Sequence, residues 1–180
     1  AGILFISERG QWNNFVKSWV AARTEEEPAS MSDEVKAARA QKLTDLFAKY
    51  CPPAMLEIKK NFKTLVPITE FNMAQTLCFF LDGLLTSENV GTKDANLFEL
   101  YFVFAAVWAC GSALSISGGT DYRKEFSKWW KDQFKGVKFP HRGEVWDYYV
   151  DRRKQEFVPW AESVSSVAYD SATPMSLVTV

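Results

Sequence analysis

The sequence predicts a mainly α-helical bundle, with a short strand before it and a small β-containing connector after it. Across residues 11–135, apolar side chains recur every three or four residues, which is the spacing of one helix face. After Gly136 this period gives way to short runs rich in Val, Tyr and Trp, which favour strands. The chain has 180 residues, 47% of them hydrophobic, so it can bury one domain-sized core or two small ones.

The first part of the chain predicts a strand and two helices. Residues 3–6 are an apolar run closed by polar residues, which predicts a short buried strand. From Gln11 onward the helical spacing begins, and the apolar face carries Trp12, Phe15, Val16, Trp19 and Val20. The polar stretch 23–32 predicts a solvated loop, at whose end Ser30 or Ser32 can cap the second helix.

Two consecutive prolines predict the end of that second helix. Proline lacks a backbone N–H and its ring clashes with the preceding turn, so Cys51-Pro52-Pro53 predicts a break. A short third helix would then run through Leu56 and Ile58, with one of the prolines in its first turn, where proline is best tolerated.

The middle of the chain predicts the core of the bundle. Thr69 opens a strongly apolar helix, whose apolar side chains are Phe71, Met73, Leu77, Phe80, Leu81, Leu84 and Leu85. Residues 97–114 are apolar on nearly every side, which predicts a central helix covered by its neighbours. The uncharged run 100–114 is about fifteen residues, short of the roughly twenty that span a bilayer, so a core helix is favoured. Thr120 is predicted to cap a last helix over residues 121–134.

The last part of the chain predicts a β-hairpin. Residues 145–150 and 157–160 flank a charged turn at residues 151–154. A final apolar run, residues 176–180, predicts one more strand. Because the chain opens and closes on strand-like runs and has no initiator Met, we expect it to be an internal piece of a longer polypeptide.

Charge and composition predict a chain without a catalytic or metal site of its own. The 21 basic and 22 acidic side chains leave no basic surplus of the kind that nucleic acid requires. The three cysteines are few, odd in number and widely spaced, which predicts buried thiols rather than disulfides. No Gly-Lys dipeptide exists for a Walker A phosphate loop, and His141 lies in a turn without a nearby Cys or His.

One ordered set of motifs identifies a family. These motifs are LYFVFAAVWACG at residues 100–111, DYRKEFSKWW at 121–130, VKFP at 137–140, WDYY at 146–149 and FVPW at 157–160. Their order resembles axonemal dynein heavy chains, most closely the outer-arm β type. Upstream, the Trp12 and Trp19 pair and residues 71–85 also fit. The resemblance covers essentially the whole chain and is weakest at residues 24–40.

The resemblance implies where the chain lies in its parent. In that family the motor is a ring of AAA+ modules, each with a nucleotide-binding α/β part and a helical lid. Residues 1–10 would end the large subdomain of the second module with its last strand. Residues 11–135 would be the helical AAA+ lid, and residues 136–180 the connector that leads, through the β-hairpin, into the third module.

The resemblance also implies function and partners. The chain would be a structural and force-transmitting segment of an ATP-driven microtubule motor of cilia and flagella, with no catalytic residue of its own. ATP or ADP would be bound by the parent module and not by these residues alone. The partners would be the neighbouring AAA+ modules and, through the parent, dynein intermediate and light chains and microtubules. Neither nucleic acid nor a membrane is implied, and the expected location is the cytoplasm, cytoskeleton and axoneme.

Five residues are candidate neighbours of a nucleotide pocket in that family's arrangement. Trp12 could line an adenine pocket, although a core role explains it equally well. Trp108 lies in an uncharged stretch where lids of hydrolysing modules often place a sensor arginine, which implies a module that holds nucleotide rather than hydrolyses it. Arg123 is the nearest substitute cation, or an ordinary arginine at a helix N-terminus. Leu177 and Val178 would contribute apolar contacts where the next module closes over its adenine.

An alternative function remains open from the sequence. A free-standing helical module could bind a partner helix in an apolar groove, and the apolar periodicity fits that role as well. The absence of nucleophile, metal and phosphate-loop motifs argues against a complete small enzyme.

Overall fold

The fold is a helical bundle with two small hairpins, which confirms the mainly α prediction. The computed structural model describes residues 2, 10–91 and 95–163. Its elements are α1 (Gln11–Glu26), α2 (Asp33–Asn61), α3 (Glu70–Leu84), α4 (Ala95–Gly111), β1 (Ile116–Ser117), β2 (Thr120–Asp121), α5 (Tyr122–Gln133), the 3-10 turn η1 (Val145–Asp147), β3 (Tyr148–Asp151), β4 (Glu156–Pro159) and α6 (Trp160–Ser163). The predicted strands at residues 3–6 and 176–180 lie outside the described residues.

Helix α4 is the centre of the bundle, as its apolar sequence predicted. It packs against α2 and α3 along its length, and it also contacts η1, β3 and β4. Its buried side chains are Leu97, Phe98, Tyr101, Phe102, Val103, Ala105, Ala106, Val107, Ala109 and Cys110. The helix ends at Gly111, three residues earlier than predicted, because Leu114 pairs with Thr64 in an antiparallel bridge. In the part of the chain that is described, no helix is both long and apolar enough for a membrane span.

The predicted break in the second helix is wrong. Helix α2 continues through Pro52 and Pro53 as one element of 29 residues. Each proline removes one backbone hydrogen bond and costs about 3 kcal/mol in a helix interior. That cost is offset because the apolar face keeps its phase across the prolines, with Tyr50 and Cys51 before them and Ala54, Met55 and Ile58 after them all buried. Pro52 itself is exposed and interrupts no packing.

The helix ends follow local side-chain chemistry, with two corrections. Ser32 caps α2 by accepting from a backbone N–H, and Thr69 forms a capping box with Asn72 at the start of α3. Thr120 is not the cap of α5, since it pairs in β2. The cap is Asp121, whose carboxylate accepts the backbone N–H of Arg123 at 3.0 Å. Helix α1 also runs to Glu26, into the stretch predicted as loop.

Helix α3 buries only some of its apolar side chains. Its buried side chains are Met73, Ala74, Leu77, Cys78 and Leu81. Phe80, another apolar side chain of this helix, is 40% exposed. The reason is that α1 and α4 are the main neighbours of α3 and leave the side that carries Phe80 uncovered.

The predicted C-terminal hairpin is confirmed. β3 and β4 pair antiparallel, with Tyr148 opposite Pro159 and Asp151 opposite Glu156. The turn forms at residues 152–155, where the Asp151 carboxylate accepts the backbone N–H groups of Arg153 at 2.7 Å and Lys154 at 2.9 Å.

The three cysteines are free and buried, as predicted. Burial raises the pKa of Cys51 well above its ordinary value, and it raises the pKa of Cys78 and Cys110 to about 12. Their thiols are therefore protonated and serve as small apolar side chains of the core.

One carboxylate ties α4 to α2 by charge. Glu99 of α4 accepts hydrogen bonds from Lys49 Nζ at 2.8 Å and Tyr50 Oη at 2.9 Å, and it pairs with Lys42 at 3.3 Å. Burial raises the pKa of Glu99, but the hydrogen bonds from Lys49 and Tyr50 outweigh that effect, so its pKa lies below the ordinary value. Burial raises the pKa of Tyr50 to about 12.

We expect this cluster to make the fold sensitive to acid. A carboxyl whose pKa is lowered by folding stabilises the fold above its unfolded pKa, and that contribution is lost as pH falls through the folded pKa. The free energy of unfolding should therefore decrease as the pH falls below 4.5, which is the ordinary pKa of Glu. Glu99→Gln should flatten this part of the profile in denaturant titrations at a series of pH values. Glu125→Gln, at an exposed site on α5, is the matched control, and an equal effect of both changes would contradict the prediction.

Candidate functional site: an aromatic junction between the bundle and the hairpin

The connector meets the bundle through the side chain of Trp146, which lies in η1. Its ring contacts Trp108 of α4 edge-on at 5.3 Å between centroids and stacks on Phe126 of α5 at 5.6 Å. Its Nε1 donates to the backbone carbonyl of Arg123 at 3.2 Å. One side chain of the connector therefore contacts both α4 and α5.

The ring of Trp146 lies against the backbone of Gly111 at the end of α4, where there is no side chain. We call this position the seat of Trp146. A Cβ at Gly111 would lie 2.3 Å from Cη2 of Trp146 and 3.2 Å from Cε1 of Phe126. Such distances are too short for a side chain, so close approach, and not backbone conformation, requires glycine here. Gly111 and Trp146 thus form a matched pair across the junction.

The aromatic contacts continue from this seat into the hairpin. Trp108 contacts Phe104 at 6.3 Å, Phe104 contacts Trp160 at 6.4 Å, and Trp160 contacts Tyr149 of β3 at 4.8 Å. Aromatic pairs of this kind add about 0.5–1.5 kcal/mol each beyond the area that they bury. The junction therefore spans α4, α5, η1, β3 and the start of α6.

Polar contacts from α5 fix the loop that carries Trp146. The hydroxyl of Ser127 accepts the backbone N–H of Val145 at 2.9 Å. Lys131 Nζ donates to the carbonyls of Pro140 at 3.0 Å and Gly143 at 2.8 Å, and it lies 5.8 Å from the ring centre of Tyr148. Burial lowers the pKa of Lys131, against the opposing effect of the acidic Asp147 and Glu144. These contacts hold the backbone of the loop in position.

Three arginines hold the α3–α4 loop, defined here as residues 85–91, through its carbonyl oxygens. Arg23 of α1 donates to the carbonyl of Leu85, and Arg152 of the hairpin turn donates to that of Glu88. Arg39 of α2 donates to the carbonyls of Val90 at 3.4 Å and Gly91 at 3.2 Å. The hairpin therefore meets the bundle at a second place, and the same loop is also held by α1 and α2.

Two of these arginines are paired with carboxylates. Arg39 pairs with Glu27 at 3.2 Å, and both side chains are largely buried, with 16% and 15% exposed. Arg23 pairs with Asp82 at 3.1 Å, and the same carboxylate accepts Trp19 Nε1. Partly buried pairs of this kind depend strongly on both partners being present, because loss of one leaves a desolvated charge.

The structure joins two of the predicted site residues and separates a third. Trp108 and Arg123 meet through Trp146, although Arg123 contributes its backbone carbonyl while its guanidinium, half exposed, contacts Asp121 at 3.4 Å. Trp12 lies on α1, is 6% exposed and belongs to the core. Leu177 and Val178 lie outside the described residues. Their roles at a nucleotide remain predictions.

The sequence near Gly111 and Trp146, the two residues on which the junction depends, does not indicate their roles. The WDYY motif is part of the resemblance to the family. Nothing in the neighbouring sequence indicates that Trp146 contacts Gly111, which is 35 positions away. The available signal is the glycine at the end of a long apolar helix. Such a glycine ordinarily indicates only that the helix ends there.

The chemistry of the junction is that of packing and backbone hydrogen bonds. Within residues 10–91 and 95–163, no group of three or more His, Cys, Asp or Glu side chains could hold a metal ion. The aromatic rings and the carbonyl-binding Lys131 are suited to fixing one element against another.

These features define a class of domain: a helical lid whose central apolar helix is joined to a short β-containing connector. The family model for the dynein heavy chain AAA lid domain matches residues 43–162, from within α2 to α6. The chain belongs to this family.

Individual relatives agree over the full length of the chain. The chain is 41% identical to the dynein alpha chain of the flagellar outer arm of Chlamydomonas reinhardtii and 44% identical to the ciliary dynein beta chain of Heliocidaris crassispina, with 100% of the chain covered in both. It is 40% identical to human dynein axonemal heavy chain 9 over 97% of its length. The chain spans about 4% of the length of these relatives.

We expect Gly111→Ala to destabilise the fold, because the added methyl overlaps the Trp146 ring. Overpacking of this kind costs about 1–3 kcal/mol. Combining it with Trp146→Phe should recover part of the loss, since the smaller ring vacates the position, so the two changes should be non-additive. Urea denaturation of the 180-residue chain measures both effects.

Gly83→Ala is the matched control for this prediction. No atom lies within 4 Å of a Cβ at Gly83, so alanine should instead stabilise α3 by about 0.5–1 kcal/mol. Equal stability of the Gly111→Ala variant and the unchanged chain would contradict the close contact at the junction.

Proposed function

We propose that this chain is a structural and force-transmitting segment of a dynein motor ring, and that it has no catalysis of its own. In this role the bundle and the connector turn together when the neighbouring modules change their nucleotide state, as packed rigid bodies do. The single observation that carries the proposal is the seat of Trp146 against Gly111. It gives the connector a contact with α4 and α5 that cannot slide without overlap of atoms.

A second contact supports transmission rather than simple tethering. The hairpin turn binds the α3–α4 loop through Arg152, and α1 and α2 bind the same loop through Arg23 and Arg39. The connector is therefore linked to four helices by two separate routes. A rotation of the hairpin about one contact is resisted by the other.

The proposed relation to nucleotide is indirect. ATP or ADP would bind to the parent module, beside Trp12, Trp108 and Arg123. Trp108 supplies no charge there, and the guanidinium of Arg123 is paired with Asp121. A lid of this composition suits a module that holds its nucleotide rather than hydrolyses it, and the parent as a whole would be the ATPase. Leu177 and Val178 would serve the following module.

The proposed partners and location follow from the same assignment. The direct partners would be the neighbouring AAA+ modules of the same heavy chain, on either side of this segment. Microtubules and the dynein intermediate and light chains would be reached through the parent. The relatives carry flagellar, ciliary and axonemal names, so we propose the axoneme as the place of action.

The proposal predicts that Trp146→Ala in the full-length heavy chain uncouples movement from hydrolysis. Loss of the ring leaves a gap between α4, α5 and η1, so part of each rotation is absorbed at the junction. Microtubule gliding velocity should therefore fall by a larger factor than the ATPase rate measured on the same preparation. Trp146→Phe, which keeps most of the ring but loses the Nε1 donor, should fall between Trp146→Ala and the unchanged protein.

Gln133→Ala, at the exposed end of α5, is the control for an alanine substitution outside the junction. Thermal unfolding of each variant separates a local effect from failure of the whole domain to fold. Equal losses of velocity and ATPase rate in a folded Trp146→Ala variant would contradict a role in transmission.

A free-standing helical interaction module is the second candidate. A groove of about 440 Å³ lies between the end of α2 and the start of α3, and its lining includes Met55, Ile58, Phe62, Ile68, Phe71 and Met73. Apolar grooves between helices can take the side chains of a partner helix. The groove is small for a helix, however, and the aromatic junction has no role in this alternative.

Nucleotide binding separates the two candidates. We expect the 180-residue chain alone not to bind ATP in a fluorescent-nucleotide titration, because it has no phosphate loop. A longer piece of the parent that includes the preceding phosphate-binding segments should bind it. Tight binding or turnover by the 180 residues alone would overturn the motor assignment.

A further inference from the structure

Three exposed cations lie on α5 and on the loop that follows it. We define them as the basic face: Lys128 on α5, with Lys138 and Arg142 on the loop. Within the described part of the chain, none of these three side chains makes an ion pair or a hydrogen bond. The carboxylate closest to Lys128 in the sequence, that of Glu125, makes no ion pair with it. The basic face therefore has three cationic groups that are open to a partner.

Contacts with α5 hold the loop that carries two of these cations. Lys131 Nζ donates to the carbonyl of Gly143 at 2.8 Å, and one turn earlier Ser127 Oγ accepts the backbone N–H of Val145 at 2.9 Å. Because later residues of the loop meet earlier residues of α5, the loop runs antiparallel to the helix. The backbone of Arg142 is therefore held beside the middle of α5.

Carboxylates near the basic face are few and already engaged. Residues 126–143 contain five basic side chains and one acidic side chain. That acidic residue, Asp132, pairs with Lys135 at 3.4 Å. Glu144 and Asp147, which follow in the chain, form the capping box of η1. The whole chain has a net charge of −1, so positive charge is concentrated on this face and not spread over the surface.

The three cations indicate the chemistry of a partner. A lysine ammonium binds an anionic oxygen as a point charge, and an arginine guanidinium binds a carboxylate through two parallel hydrogen bonds. Nucleic acid binds through many phosphates at once, along a backbone with one charge about every 1.7 Å of duplex axis. Outside residues 126–143 the chain has more acidic than basic side chains, which repel a long polyanion. A short run of carboxylates is the better match.

The exposure of these cations indicates how the partner binds. Permanent burial of a charged group costs desolvation, which only close and complete pairing offsets. Exposed charges instead steer association and make it depend on salt. We therefore expect contacts that form and dissociate, as between separate proteins.

The spacing of the cations limits the length of the partner segment. Lys138 and Arg142 are four residues apart, so their backbones are separated by at most about 14 Å. An extended peptide rises about 3.3 Å per residue, so about five residues of it can reach both.

We propose that the basic face binds a short acidic segment of a separate protein, with two or three Asp or Glu side chains within about five residues. One carboxylate accepts two N–H groups of Arg142, and the others accept from Lys128 and Lys138. This binding goes beyond the proposed function and does not depend on transmission through the junction.

Fluorescence anisotropy with the full-length heavy chain tests this binding. The probe is fluorescein-labelled hexaglutamate, and hexaglutamine with the same label is the uncharged control. We expect hexaglutamate alone to bind, with an affinity that falls as salt is raised, because salt screens exposed charges. The combined change Lys138→Glu and Arg142→Glu should weaken binding about tenfold. Arg142→Lys keeps the charge but loses the paired N–H groups, so it should give a smaller loss.

The combined change Lys17→Glu and Lys60→Glu is the matched control. These lysines are exposed on α1 and α2, and their reversal alters the net charge by the same amount outside the basic face. The control variant should bind hexaglutamate as the unchanged protein does, and thermal unfolding shows whether both variants are folded. Equal affinity of the two folded double variants, no binding of hexaglutamate, or equal binding of hexaglutamine would overturn the proposal.

Competition distinguishes an acidic protein segment from nucleic acid. Unlabelled hexaglutamate and an oligothymidylate of equal charge are each titrated against the bound probe. Displacement at a lower concentration of hexaglutamate than of oligothymidylate supports the proposal. Displacement at a lower concentration of oligothymidylate would show that the basic face selects phosphate, and the proposal would be wrong.

Discussion

The burial of α4 on almost every side is the constraint on which the rest of the structure depends. A helix without a charged side chain from Leu100 to its end at Gly111 is stable in water only if other elements cover it. Helices α2 and α3 cover much of its length, and the hairpin and η1 cover what remains. The connector is therefore required by the bundle, because its removal would expose the aromatic side of α4 at Phe104 and Trp108. The family model for the lid likewise extends beyond the last long helix, to residue 162.

Two different kinds of interaction join the connector to the bundle. At the junction, Trp146 lies against Gly111 and Phe126 by close packing, which is sensitive to single methyl groups. At the α3–α4 loop, guanidinium groups donate hydrogen bonds to backbone carbonyls. These hydrogen bonds tolerate small changes of distance but fix the direction in which donor and acceptor face each other. The first contact resists sliding and the second resists rotation. A segment that passes movement between modules needs resistance to both, and this combination is the physical basis of the proposed transmission.

The pairing of charged side chains distinguishes the engaged parts of the surface from the parts that are left exposed. The charged side chains near the loop are used in pairs, Arg39 with Glu27 and Arg23 with Asp82, and the carboxylate of Glu99 is shared by three donors. The side of α3 that carries Phe79 and Phe80 has no charge and, among the described residues, no such partners. Its two phenylalanines are accordingly exposed, Phe79 by 63% and Phe80 by 40%.

The sequence by itself determined the features that depend on near neighbours. Helical spacing, the caps at Ser32 and Thr69, the charged turn of the hairpin and the central position of α4 all follow from local pattern. Only the tertiary structure decided the features that depend on distant partners. The prolines of α2 are tolerated because burial on both sides of them outweighs two lost hydrogen bonds. Phe80 is exposed because none of the described elements covers its side of α3. The seat of Trp146 and the arginine contacts join residues that are far apart in the chain, and such contacts leave no periodic signal, since they arise from how whole elements pack.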